Sequence, residues 1–142
     1  MASGCSAAVV ADVDDVEVLL TEGARALEVA GDLVTSRQWF DAAYRSAQRQ
    51  GDGQAMARAA LGLGGLWVHE HRTSAGAELL RSRLRRALSM VRRRSALGLR
   101  LRVRLAGERD YRAGEHRTML RLLAEARSEE HTSELQSRTL IS

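Results

Sequence analysis

Apolar residues recur along this chain at three- and four-residue steps, the spacing that lines up one face of an α-helix. In the first block Val16, Leu19, Leu20, Gly23, Leu27 and Ala30 keep that step, and Gly31-Asp32 closes it. In the second, Ser36, Trp39, Phe40, Ala43, Tyr44 and Ala47 form the stripe, and "GDG" at 51–53 ends it. Glycine suits the left-handed position after a helix, and aspartate caps the start of the next. The third block, "QAMARAALGLGGLWVHEHR", is apolar nearly all round, which predicts a central, buried helix. Its Gly62, Gly64 and Gly65 each cost a helix about 1 kcal/mol relative to alanine. We read them as points of close approach by a neighbouring helix. A helix break near Gly64-Gly65 is the alternative.

The fourth block runs from Ala75 to Arg93, with Ala77, Leu80, Leu84, Ala87, Leu88 and Val91 as its stripe. The fifth contains "LRLRVRL", 99–105, whose alternation taken alone reads as a half-buried strand. The rest of the chain offers no strand to pair with it, so a helix is predicted. In the sixth, Met119, Leu120, Leu123 and Ala126 form the stripe. The expectation is an all-α fold: an antiparallel array of helical hairpins, about six helices, spanning 14–126 after a disordered N-terminus at 1–13. Two such helices make a unit of about 34 to 40 residues, the size of a tetratricopeptide-type repeat. The first pair fits best. Gly31 sits at the inner turn, and Ser36, Phe40 and Ala43 follow as small, large and small; the aromatics expected near Leu19 and Ala26 are missing.

Composition supports a helical reading. Proline is absent, hydrophobic residues make up 44% and aromatics only 4%, so the core must come from Leu, Ala and Val. All 22 basic residues are arginine, and the chain has neither lysine nor asparagine, as in a gene rich in G and C. The single cysteine, Cys5, cannot form an internal disulfide. The N-terminal "MASGCSAAVV" lacks a basic leader and soon meets Asp12, Asp14 and Asp15, so a secretion signal is rejected. No run of about 20 apolar residues suggests a membrane span. The expected location is cytoplasmic.

The stretch from Gly23 to Arg72 resembles the helical-repeat region of large ATP-binding, LuxR-type transcriptional regulators of actinobacteria. "AGD" at 30–32, "QGD" at 50–52 and "ARAALGLGG" at 57–65 carry the resemblance, which covers roughly 15–126. These are repeat-packing residues. The resemblance implies a sensor or scaffold role, with a concave surface for a protein partner, an effector or the regulator's other domains. It marks Gly31, Ser36, Phe40, Ala43, Gly64 and Trp67 as packing positions. In such regulators an ATPase domain precedes the repeats and a DNA-binding domain follows. No GxxxxGK[ST] occurs in this sequence, so no nucleotide site carries over and no cofactor is expected.

Candidate chemistry is sparse. His69, Glu70 and His71 form "HEH", but a zinc-binding helix needs histidines four apart. A spacing of two turns them about 200° apart. His69 and His71 are weak metal candidates, and a polar helix end is the preferred reading. Ten arginines lie between Arg81 and Arg104, with no acidic residue from 81 to 107. Arg81, Arg85 and Arg92 fall on a similar side of a helix; with Arg93 and Arg94 they form a candidate anion or partner surface. Aromatic stacking residues and a compact recognition helix are missing, so nucleic acid is the less favoured partner. A solvated face balanced by Asp12, Asp14, Asp15, Glu17 and Glu22 is the bland reading. No nucleophile elbow or Cys/His pairing is recognisable, and an enzyme is not expected.

The last sixteen residues read differently. Residues 127–137, "RSEEHTSELQS", resemble the translation of a common sequencing-library adapter through eleven consecutive codons, and the frame closes again on Ile141-Ser142. Ile141 is the only isoleucine of the chain. Residues 127–142 are accordingly expected to be a non-native tail, and 14–126 to be a fragment of a larger regulator.

Overall fold

Aspartate or a hydroxyl residue starts five of the six helices. The computed structural model describes residue 10 and residues 13–66, 73–114 and 116–141, with side chains as far as Glu130. Among these residues there are six helices and no strand: α1 (Val16–Glu28), α2 (Leu33–Gln50), α3 (Gly53–Leu63), α4 (Ser74–Ser89), α5 (Ala96–Ala113) and α6 (Arg117–Ile141). Asp15 accepts from the backbone N–H of Glu17 at 3.0 Å, Asp32 from that of Thr35 at 3.0 Å, and Asp52 from that of Ala55 at 3.0 Å. Thr73 and Ser95 do the same for α4 and α5. Each cap satisfies a donor that the first helical turn leaves free. Thr35 also donates its hydroxyl to Asp32, and these bonds hold the Asp32 carboxyl below the usual aspartate range. Gly31 and Gly51 take positive φ, 64° and 68°, with open space where a Cβ would stand. They serve the turns, and Gly31 is not a packing contact.

Successive helices pack as hairpins, and α1 also meets α3 while α3 meets α5. Leu19, Met56, Leu84 and Leu101 are the largest fully buried apolar side chains, one each from α1, α3, α4 and α5. The stripe of α2 lies inward throughout, from Ser36 to Ala47. Phe40 is its centrepiece. A Cβ added at Gly23 of α1 would meet the Phe40 ring at 3.0 Å, and one at Gly62 of α3 would come within 2.6 Å of its Cδ1. The two glycines let neighbouring helices close on the two sides of one ring, so the expected close approach is found at Gly62.

The same block departs from expectation further on. A single helix through Arg72 is expected, yet α3 stops at Leu63 and Gly65 turns to φ 71°. The Arg104 guanidinium of α5 donates to the carbonyls of Gly64 and Gly65, giving the free helix end its acceptors' partners. Gly64 is therefore a termination point and also a close approach, since a Cβ there would stand 2.9 Å from the Arg104 Cζ of α5. The alternating "LRLRVRL" is helical, inside α5, and buries Leu101.

Two stripes shift. Ala30 lies in the turn after α1, exposed, and Ala26 takes the buried position. In α6, Leu122 is buried, whereas Leu120 and Leu123 are 63% and 50% exposed. The cause is tertiary: the buried carboxylate of Asp110 in α5 accepts from the Met119 backbone N–H at 2.9 Å, and Arg102 grips Glu125. These contacts set the rotation of α6. Helix α6 runs through 126–127 without a break. Val10 and Val13 pack against the core; residues 1–9, 11 and 12, where a disordered N-terminus is expected, lie outside the described residues.

Candidate functional site: a cationic cleft between α4, α5 and α6

Three helices and one connector build the cleft. Helix α4 presents Glu78, Arg81, Arg85 and Leu88, at steps of three and four that keep them on one face. Helix α5 presents Arg102, Leu105, Ala106, Arg109, Arg112 and Ala113 by the same rule. Helix α6 closes it with Thr118, Arg121, Leu122 and Glu125. Arg93 enters from the connector after α4. That connector is pressed on the start of α5: a Cβ at Gly98 would come within 2.5 Å of the Arg93 carbonyl oxygen. The cleft is open to solvent, with a volume of about 720 Å³. Every lining residue precedes Arg127, so the cleft does not depend on the adapter-like tail.

Seven arginines and two glutamates face this space. The glutamates hold part of the positive charge. Arg102 donates two parallel hydrogen bonds to Glu125, each 2.8 Å, with the guanidinium largely buried. This forked geometry is the strong form of an arginine–carboxylate pair. It keeps the Glu125 carboxyl below the usual glutamate range, with Arg102 itself and the more distant Arg94 and Arg93 adding attraction, and raises Arg102 in turn. Glu78 accepts from Arg81, stands 3.8 Å from Arg85, and is likewise held low, first by the Arg81 hydrogen bond. Arg93, Arg109, Arg112 and Arg121 make no ion pair within 4 Å among the described residues. They are exposed and point their charge at solvent within one concavity.

The structure divides the five arginines expected as one surface. Arg81 and Arg85 line the cleft, and Arg93 joins them from the connector. Arg92 does not lie on the Arg81 side of a helix. Helix α4 ends at Ser89, and Arg92 faces a separate hollow with Gln54, Met90 and Ser95. Its carbonyl accepts from the Ser95 hydroxyl at 2.7 Å, which fixes it to the α5 cap. Arg94 reaches Glu129 of α6 at 3.6 Å. The acidic face expected to balance this charge is used locally: Asp14 pairs with Arg49 and Glu17 with Arg58.

Arg102, Arg109, Arg112, Arg121 and the two glutamates were not singled out by sequence. Their signal is present in part, since 102, 105, 109 and 112 keep a helical step, but the alternation of 99–105 obscures it. His69, His71 and Trp67 lie outside the described residues. Ser36, Phe40 and Ala43 are buried packing residues of α2, remote from the cleft lining. Among the described residues no helix is long and apolar enough to cross a membrane. Comparison of the chain with protein-family models, with curated proteins and with solved structures finds no match.

Proposed function

We propose that this chain is a non-enzymatic regulatory module, a tetratricopeptide-like array of helical hairpins that recognises a partner through its cationic cleft. The partner is a protein or another domain of a larger ATP-binding LuxR-type transcriptional regulator, working in the cytoplasm. The observation that carries the reading is the convergence of arginines from α4, α5 and α6 on one concavity, four of them making no ion pair within 4 Å among the described residues. Arginine forks on a concave helical surface favour recognition of carboxylate or phosphate groups. The test is chemical cross-linking, read by mass spectrometry, within a full-length regulator carrying this segment. Cross-links from the cleft to a partner domain or protein are expected, lost in an Arg109→Glu/Arg121→Glu variant. An absence of such cross-links and of any effector response, with catalytic turnover by the segment alone, would contradict the reading.

Nucleic-acid binding through the Arg-rich segment 81–104 is a second reading, favoured by the exposure of the consecutive Arg92, Arg93 and Arg94 on the connector. It requires affinity that falls steeply with salt and is lost when all three are changed to glutamate. Unchanged binding in that variant would remove it.

A further inference from the structure

The cleft has three properties that together specify a ligand class. Its volume, about 720 Å³, falls in the range of sites for small molecules, roughly 300–1,000 Å³. Its rim is strongly cationic even after Glu78 and Glu125 are counted. Its floor is apolar, from Leu88, Leu105, Ala106 and Leu122. We propose that it binds a small molecule bearing phosphate groups on a less polar body. This inference rests on the regulatory reading and supplies that module with an effector.

Arginine is suited to the task because its planar fork gives phosphate oxygens two parallel hydrogen bonds and does not lose its charge at any working pH. Arg109 of α5 and Arg121 of α6 line the same cleft, so a multiply charged anion seated there has guanidinium groups on two helices to meet it. The cleft is prepared for such a charge: among the described residues, no ion pair within 4 Å of Arg93, Arg109, Arg112 or Arg121 must be broken before a ligand docks. Meanwhile the field of Arg112 already acts on Glu78, and that of Arg93 on Glu125. Arginines of α4 and α5 thus act together on Glu78, and those of α5 and the connector on Glu125. An extended nucleic acid fits less well. It would have to run past Glu78 and Glu125 on opposite walls, and like charges so placed repel its backbone. Phosphate also carries its own pH signature. Its second ionisation lies near about 6, so a phosphate ligand binds more tightly as pH rises through that value while the arginines stay charged.

The test uses the full chain and inorganic pyrophosphate as the probe, by isothermal titration calorimetry at low ionic strength, with sulfate as the comparison anion. One variant is Arg109→Ala/Arg121→Ala, which removes exposed groups without ion pairs and so leaves folding contacts in place. Its control is Arg25→Ala/Arg45→Ala, an equal loss of charge on α1 and α2, outside the cleft. Pyrophosphate is expected to bind at one site, more tightly at pH 7.5 than at pH 5.5. The cleft variant should weaken it at least tenfold and the control less than twofold. Equal weakening in both variants, or no binding at millimolar pyrophosphate, overturns the proposal. So does a single-stranded oligonucleotide that displaces pyrophosphate and is itself weakened as much by the control. If pyrophosphate fails while cleft cross-links to a partner persist in the full-length regulator, the effector inference falls and the regulatory reading stands. If pyrophosphate binds as expected but cross-links to no partner exist, the site stands and the regulatory reading falls.

Discussion

Between α1 and α3 the buried side chains are aliphatic, alanine, aromatic or the uncharged Ser36 and Ser46, whereas α4 to α6 bury Arg81, Glu108 and Asp110 among their apolar residues. The first region closes by shape. Alanines at 43, 47, 57, 59 and 60 have essentially no exposed surface, and two glycines admit the Phe40 ring. The second closes by charge: Arg102 on Glu125, Arg104 on Glu108 and on two carbonyls, Asp110 on the α6 backbone. Among the described side chains of α6, only Leu122 is buried as an apolar anchor. Apolar packing is not screened by salt and carries no titrating group, while ion pairs weaken with salt and respond to pH. The comparison teaches that the rigid half has little left to offer a ligand. The ionic half carries its surplus charge where a ligand can reach it. Arg83 bridges the two regions: it donates to Asp41 of α2 at 2.6 Å and lies 4.8 Å over the Tyr44 ring, whose hydroxyl burial raises in pKa against the pull of Arg83 and Arg86.

The largest expected effect comes from the packed region. Phe40→Ala leaves two glycine-faced surfaces without their common filler and should cost about 4 kcal/mol of stability. Chemical denaturation should show this with little dependence on salt; a loss below about 1 kcal/mol would mean that the α1–α3 packing is not centred on this ring. Next is Arg104→Ala. It removes the ion pair of Glu108, 2% exposed, and the donor to the carbonyls at the end of α3, and should cost about 3 kcal/mol. Restoring stability with a second change, Glu108→Leu, would mark the loss as that of the buried ion pair.

The smallest effect is the most specific to charge. Glu125 and Glu78 have carboxyls held below the ordinary value, about 4.3 for glutamate, so their contribution is present above that range. It is lost as pH falls through the lowered folded values. A Glu125→Gln variant should therefore show a shallower loss of stability below about pH 4 than the parent chain, with the difference shrinking in high salt. Parallel acid-unfolding curves for the two would deny the Arg102–Glu125 pair its role.

Much of this architecture is legible in the sequence because it is local. The stripe from Ser36 to Ala47 and the caps at Asp32 and Asp52 need only neighbours within a few residues. Placing α6 needs more. Met119, Leu120, Leu122 and Leu123 offer two overlapping apolar faces, and periodicity does not choose between them. Asp110 and Arg102, on another helix, do. The cleft is half legible for the same reason. Arg81 and Arg85 share a face that spacing reveals, but Arg109 and Arg121 meet only once α5 and α6 have packed. Likewise the end of α3 depends on Arg104, about 40 residues downstream.

Hydrogen exchange, resolved by helix in low salt and again in about 1 M salt, compares the two regions directly. Amides of α1–α3 should keep their protection in both conditions, while those of α5 and the first turns of α6 should exchange faster in high salt as their ion pairs are screened. Equal protection across the chain, or a loss that begins in α1–α3, would contradict the division into a packed region and a charge-closed one.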